Sequence, residues 1–159
     1  MKWEMALLLA ALVMVIRIQG HIEPAPPGEA SATSLPISFQ LLGKTRYDNN
    51  TTPIYPDELR ACEGRTVTLS GFATPYDDPQ HPTKMLLTQN GSGCFFCAPP
   101  DASGVVLVRC ASNDVLVPWG AEAVTLEGTL RLARPDSADV EAKRFLFVID
   151  GARVVRNHG

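Results

Sequence analysis

Read for its alternation of apolar and polar positions, the chain changes character twice before it settles. Residues 6–16, ALLLAALVMVI, are apolar on every face, and residues 21–36, HIEPAPPGEASATSLP, are polar, Pro-rich and without period. From Ile37 onward apolar residues return in short runs. ISFQLL is a segment of the β-branched and aromatic kind that strands favour, and KTRYDNNTTPIYP after it reads as a loop. Asp57 to Cys62 has the spacing of one helical turn with Leu59 and Cys62 on one side, closed by Gly64. Beyond it the period becomes two. In RTVTLSGFATP, Val67 and Leu69 alternate with Thr66, Thr68 and Ser70, and Gly71 permits a bend.

Four more strands follow. The second is predicted around Met85 to Thr88, and the third, Val105 to Cys110, is apolar without a break, which implies burial on both faces. The fourth alternates Val124, Leu126, Leu130 and Leu132 around Gly128. The fifth carries Phe145, Phe147 and Ile149, then an Asp150-Gly151 turn signal and a short return through Val154 and Val155. Five strands, two of them interrupted by Gly, with no long helix, predict an all-β domain: a small five-stranded OB-like barrel over residues 37–159, an open sandwich being the alternative.

Composition narrows the setting. Fourteen Lys+Arg against 17 Asp+Glu, net charge -3, provide no electrostatic footprint for nucleic acid. Hydrophobic residues at 45% are enough for a core, and 13 Pro with 12 Gly imply many turns. The apolar run at residues 6–16 lies between Lys2 and Arg17 and is about half of the ~20 residues a membrane span needs. Residues 1–20 are therefore read as a signal peptide or, alternatively, an uncleaved N-terminal membrane anchor, and residues 21–36 as a linker. The expected location is extracytoplasmic, periplasmic or anchored facing the periplasm, where four Cys meet oxidising conditions and two disulfides have three possible pairings.

The strongest chemical signal is NGSGCFFCAPPD, in which Cys94 and Cys97 form a Cys-x-x-Cys pair between the second and third strands. Two thiols at this spacing can ligate one metal ion, close a structural disulfide, or exchange disulfides. Strand order puts Cys62 at the same end of the barrel as a candidate third thiol. It puts Cys110 at the other end, about 17 Å away, beside the loop of Asp77, Asp78 and His81. Cys62 also reads as a small buried hydrophobe, His81 as a solvated loop residue, Asp77 and Asp78 as turn residues, and Trp119 as a core or recognition aromatic. Asn50-Thr51-Thr52 is a glycosylation sequon of use only in a eukaryotic secretory path. The sequence contains no nucleophile elbow, phosphate-binding Gly loop or His-Glu-x-x-His, and no catalytic or cofactor-binding residue is assigned.

Three segments together, GRTVTLSGFATPYDD, MLLTQNGSGCFFCAPPDASGVVLV and VTLEGTL, resemble an exported bacterial family known as domain of unknown function 3299. Its pattern is a G-x-x-V-x-L-x-G-F-x-x-P strand followed by a Leu-Leu, Gly-x-Cys, Pro-Pro segment, and the resemblance spans Leu59 to Leu132. It implies an extracytoplasmic OB-like barrel, sometimes a lipoprotein, associated with transport systems for metal or envelope substrates. Many relatives have Cys-x-His before the Pro pair; here it is Cys94-Phe95-Phe96-Cys97. The chain thus reads as an exported, non-enzymatic accessory protein that binds a transition metal, Zn or Cu(I), through Cys94 and Cys97, or contacts a membrane transporter complex. The alternatives are an envelope thiol-disulfide oxidoreductase and a structural interaction domain with a Cys94–Cys97 disulfide.

Overall fold

The structure, a computed structural model, describes residues 28–48, 52–91, 101–112 and 122–156. In chain order these form β1 (Gly28–Glu29), β2 (Leu35–Pro36), α1 (Phe39–Leu42), β3 (Arg46–Tyr47), β4 (Pro53–Ile54) and α2 (Asp57–Arg60). Five longer strands follow: β5 (Thr66–Pro75), β6 (Lys84–Thr88), β7 (Val105–Cys110), β8 (Val124–Leu132) and β9 (Phe147–Arg156). Antiparallel pairs β5–β6, β6–β7, β9–β8 and β8–β5, with one parallel pair β7–β9, close these five into a barrel. Going round it, the strands run first, second, third, fifth, fourth and back to first, the OB order.

Period two carries the core. Val67, Leu69 and Ala73 of β5 point inward between half-buried or exposed neighbours, and meet Met85, Leu87, Val106, Val108, Leu126, Leu130, Phe147 and Ile149. Each of these side chains larger than Ala73, fully withdrawn from water, contributes about 1.5–3 kcal/mol. β5 serves both halves of the barrel because it changes partner at its glycine. It pairs with β8 up to Gly71 and with β6 from Phe72 onward, and a Cβ on Gly71 would lie 2.7 Å from the Thr88 carbonyl oxygen.

Four local features differ from the sequence reading. First, Phe39–Leu42 of ISFQLL is helical: the Ser38 hydroxyl accepts from the Leu41 N–H at 3.3 Å. That cap starts a turn which buries Phe39 and Leu42 on one side. Second, Asp150-Gly151 does not reverse the chain. Glu127 faces Arg153 while Thr129 faces Asp150, so β9 holds one extra residue and continues as one strand through a bulge, with Gly151 at φ +61°. Third, Phe145 precedes β9 and packs on the outside of the barrel, apart from Phe147 and Ile149. Fourth, ordered structure reaches upstream of Ile37, with β1 parallel to β9 and β2 parallel to β5. The Ser31 N–H donates there to the buried Glu127 carboxylate, which also receives Arg153 at 2.7 Å. Among the described residues no helix is long and apolar enough to cross a membrane; residues 1–20, read as signal or anchor, lie outside them.

Candidate functional site

The outer surface of the second and third strands, flanked by the loops after strands one and four, is where OB barrels usually take ligands. In this chain that surface is apolar and covered. Leu86 of β6, Val105 and Leu107 of β7 and Val148 of β9 form a second buried cluster outside the barrel, and Ala142 and Phe145 pack over it. Both covering residues belong to the β8–β9 connection, residues 133–146, which lies across the barrel as a strap. The ring of Tyr76, from the β5–β6 loop, meets Phe145 edge-on, with centroids 5.7 Å apart. The unbroken apolar run of β7 is thereby explained: Val106 and Val108 face the interior, Val105 and Leu107 the strap.

Both stems of the strap are fastened. The Ala133 N–H donates to the Leu146 carbonyl at 3.0 Å, and the Tyr55 hydroxyl lies 3.2 Å from the carbonyl oxygens of both Ala133 and Leu146. Burial pushes the Tyr55 phenol up to about 12. Charges fasten the middle. Arg109, the polar member of β7, reaches Asp139 at 2.7 Å, Glu141 at 3.3 Å and Asp150 at 3.4 Å. Lys84 reaches Glu141 at 2.9 Å and Arg131 reaches Asp150 at 3.3 Å. The Arg109 hydrogen bond, aided by the Ala142 N–H, holds the Asp139 carboxyl down at about 2. These residues answer one another's charges, so the group acts as a clasp between strap and barrel. Sequence reading passed over it. The usable signals were an arginine inside an otherwise apolar strand and the acidic stretch DSADVE before the last strand.

Hollows open on the two sides of the strap. One, of 490 Å³, lies over Arg109, Arg131, Asp139 and Asp150. The other, of 360 Å³, lies between the strap and the β3–β4 hairpin and is bordered by Tyr47, Ala102, Arg134, Lys143 and Arg144.

Cys94 and Cys97 fall outside the described residues, as do Trp119, Asn50 and Thr51 of the sequon. The described residues on either side of Cys94 and Cys97 are held in place. Gly91 lies against the Phe72 ring, which a Cβ there would approach to 2.6 Å, and the 3-10 turn Ala102–Gly104 lies beside α1. Cys62 is buried in the main core after α2, its thiol donating to the Glu58 carbonyl at 3.3 Å. Cys110 ends β7, its N–H on the Thr83 carbonyl at 2.9 Å; burial and then the nearby Asp77 charge push its thiol up to about 11. Asp77 ties its own loop by accepting from the Thr83 and Lys84 N–H groups at 3.1 and 3.2 Å. Asp78 accepts from the Gln80 N–H at 2.8 Å, and His81 stands exposed beside it. Among the described residues no three His, Cys, Asp or Glu side chains gather as a metal cluster would.

Strand order and strap together define a closed OB-type barrel with a self-covered outer face. Among solved structures, the crystal structure of a DUF3299 family protein from Pseudomonas aeruginosa PAO1 has a similar fold. Its TM-score is 0.52 at 14% identity, over 80% of this chain and 100% of that one. The resemblance carried by Leu59 to Leu132 thus extends to the fold. Neither a family model nor a curated protein sequence matches the chain.

Proposed function

We propose that this chain is an exported, non-enzymatic accessory module of the domain-of-unknown-function 3299 type, whose Cys94/Cys97 loop holds a soft metal ion for an envelope transport system. The observation that carries the reading is the position of the other two cysteines. Cys62 is enclosed in the core with its thiol on the Glu58 carbonyl, and the Cys110 thiol is held protonated to about 11. Neither is a ready disulfide partner or thiolate ligand, which leaves Cys94 and Cys97 to each other. Two thiolates alone satisfy Cu(I), whereas Zn asks for four ligands, so of the two ions Cu(I) fits this donor pair better.

Three further features support an accessory role: the self-covered outer face, the apolar run at residues 6–16 read as an export signal, and the family resemblance. The test is native mass spectrometry of protein taken anaerobically from its own compartment, beside Cys94→Ser and Cys97→Ser. One soft metal ion per chain, absent from either variant, is expected. A mass two protons low, mapped to Cys94–Cys97 and without metal, overturns the metal reading. A metal-free pair that turns over a dithiol substrate would replace it with the oxidoreductase.

A further inference from the structure

The 360 Å³ hollow beside the strap has a character that the rest of the surface does not share. The chain carries net charge -3, and its cations elsewhere are largely answered. Lys44 pairs with Glu58, Arg60 with Asp57, Lys84 with Glu141, Arg109 with Asp139, Arg131 with Asp150 and Arg153 with Glu127. Lys143 and Arg144, neighbours on the 3-10 turn of the strap, have no carboxylate partner among the described residues, and both line this hollow. Arg134 enters from the strap's first stem, held by Glu63 at 2.9 Å. Opposite them the β3–β4 hairpin contributes the Tyr47 phenol, and Pro53 and Phe145 supply apolar wall. Burial, and then the charge of Asp101, raise the Tyr47 phenol, so at neutral pH it offers a proton to donate.

Arg134, Arg144, Lys143 and Tyr47 around one concavity are a donor set suited to a tetrahedral oxyanion: Arg supplies a planar fork and Lys a point charge. The volume falls within the range of small-ligand sites, and the apolar wall suits a carbon body behind the anion. We propose that this hollow is a binding site for a phosphate group carried on a small organic body, with Lys143 and Arg144 as its principal anchors. Its principal anchors lie on the strap and not on the cysteine segment, so Cys94→Ser and Cys97→Ser are expected to leave phosphate binding unchanged.

Two sources can supply such a phosphate, a soluble ester and a phospholipid headgroup. Calorimetric titration of the full chain with glycerol 3-phosphate, and co-sedimentation with phosphatidylglycerol vesicles against phosphatidylcholine vesicles, separate the two. The Lys143→Ala/Arg144→Ala double variant, whose exposed positions leave the fold unchanged, is expected to bind at least about tenfold more weakly, because it removes two charge-assisted hydrogen-bond donors. Arg65→Ala, an exposed cation outside the hollow, is expected to bind as the parent does. Saturable binding of the soluble ester assigns a free ligand, and vesicle binding alone assigns the headgroup. Absence of both, or equal binding by the double variant at unchanged melting temperature, overturns the proposal.

Discussion

The Arg109 guanidinium and the Asp139 carboxylate meet at 2.7 Å across the join between β7 and the strap, thirty residues apart in the chain. Both are partly shielded from water, at 27% and 37% side-chain exposure, so the pair is screened less than an open surface pair. Arg109→Ala removes this ion pair and leaves Glu141 and Asp150 without one of their cations. The expected loss is about 1 kcal/mol of global stability, with faster hydrogen exchange confined to residues 133–146. Uniform acceleration across all five barrel strands would refute the clasp.

Acid should act on the same ion pair. The Asp139 carboxyl is lowered to about 2, first by the Arg109 hydrogen bond and then by the Ala142 N–H. A carboxylate depressed by folding stabilises above its unfolded value of about 4, and that contribution is lost as pH falls through the folded value. Strap amides are expected to lose protection between about pH 4 and pH 2, with Asp139→Asn showing a flatter acid response. An identical acid profile in parent and variant would remove Asp139 from the account.

Much of the barrel was legible in the sequence because alternation is a local signal. Thr66 to Ala73 spell out their inward face, and the apolar run of Val105 to Val108 announces two buried faces. What covers the outer face was not legible. Phe145 shares the parity of Phe147 and Ile149, so pattern alone put it in the strand, and only the tertiary position of the strap turns it outward. Ser38 and Gly151 misled for a similar reason. A cap and a positive-φ glycine each serve more than one local structure, and packing of Phe39 and Leu42, or of β8 on β9, selects between them. The clasp left only faint signals, the lone Arg109 in an apolar strand and the acidic stretch before β9, because ion pairs between distant segments leave no periodicity. The Cys-x-x-Cys motif was readable as a motif, but Lys143 and Arg144 look like ordinary surface cations until the β3–β4 hairpin is seen opposite them.

Tyr55→Phe tests the fastening of the stems. The hydroxyl serves the Ala133 and Leu146 carbonyls at 3.2 Å while the ring stays packed 5.9 Å from Phe147. Phe keeps the ring packing and drops the hydrogen bond, for an expected cost of about 1 kcal/mol. Because folding raises this phenol to about 12, its contribution is full below about pH 10 and is lost as pH rises from there toward about 12. A variant that melts with the parent at pH 8 would show the hydroxyl to be idle.

Gly128→Ala tests the join between β8 and β9. A Cβ there would stand 2.6 Å from the Ile149 Cγ2 and 2.8 Å from the Asp150 carbonyl oxygen, on the strand that carries the bulge. Neither neighbour is free to retreat, since Ile149 is fully buried. The expected cost is about 2 kcal/mol or more. Gly151→Ala, at φ +61° with open space around it, should cost about 1–2 kcal/mol from backbone strain alone. A Gly128→Ala protein as stable as the parent in urea would mean that the two strands are not in this register.

Thiol reactivity should set Cys110 apart from the loop pair. With its thiol raised to about 11 by burial and then by Asp77, Cys110 is thiolate in only about one molecule in a thousand at pH 8, against roughly a quarter for an unperturbed thiol. Iodoacetamide followed by peptide mapping should therefore label native Cys110 more than about a hundredfold slower than its urea-unfolded form, with the native rate rising about tenfold per pH unit up to about 10. The same shift makes a stability statement. A thiol kept protonated by folding contributes fully below about pH 9, and the contribution fades as pH climbs toward about 11. If Cys110 alkylates in the native protein as fast as in urea, it is a thiol open to pairing. Cys94 and Cys97 then lose their claim to each other.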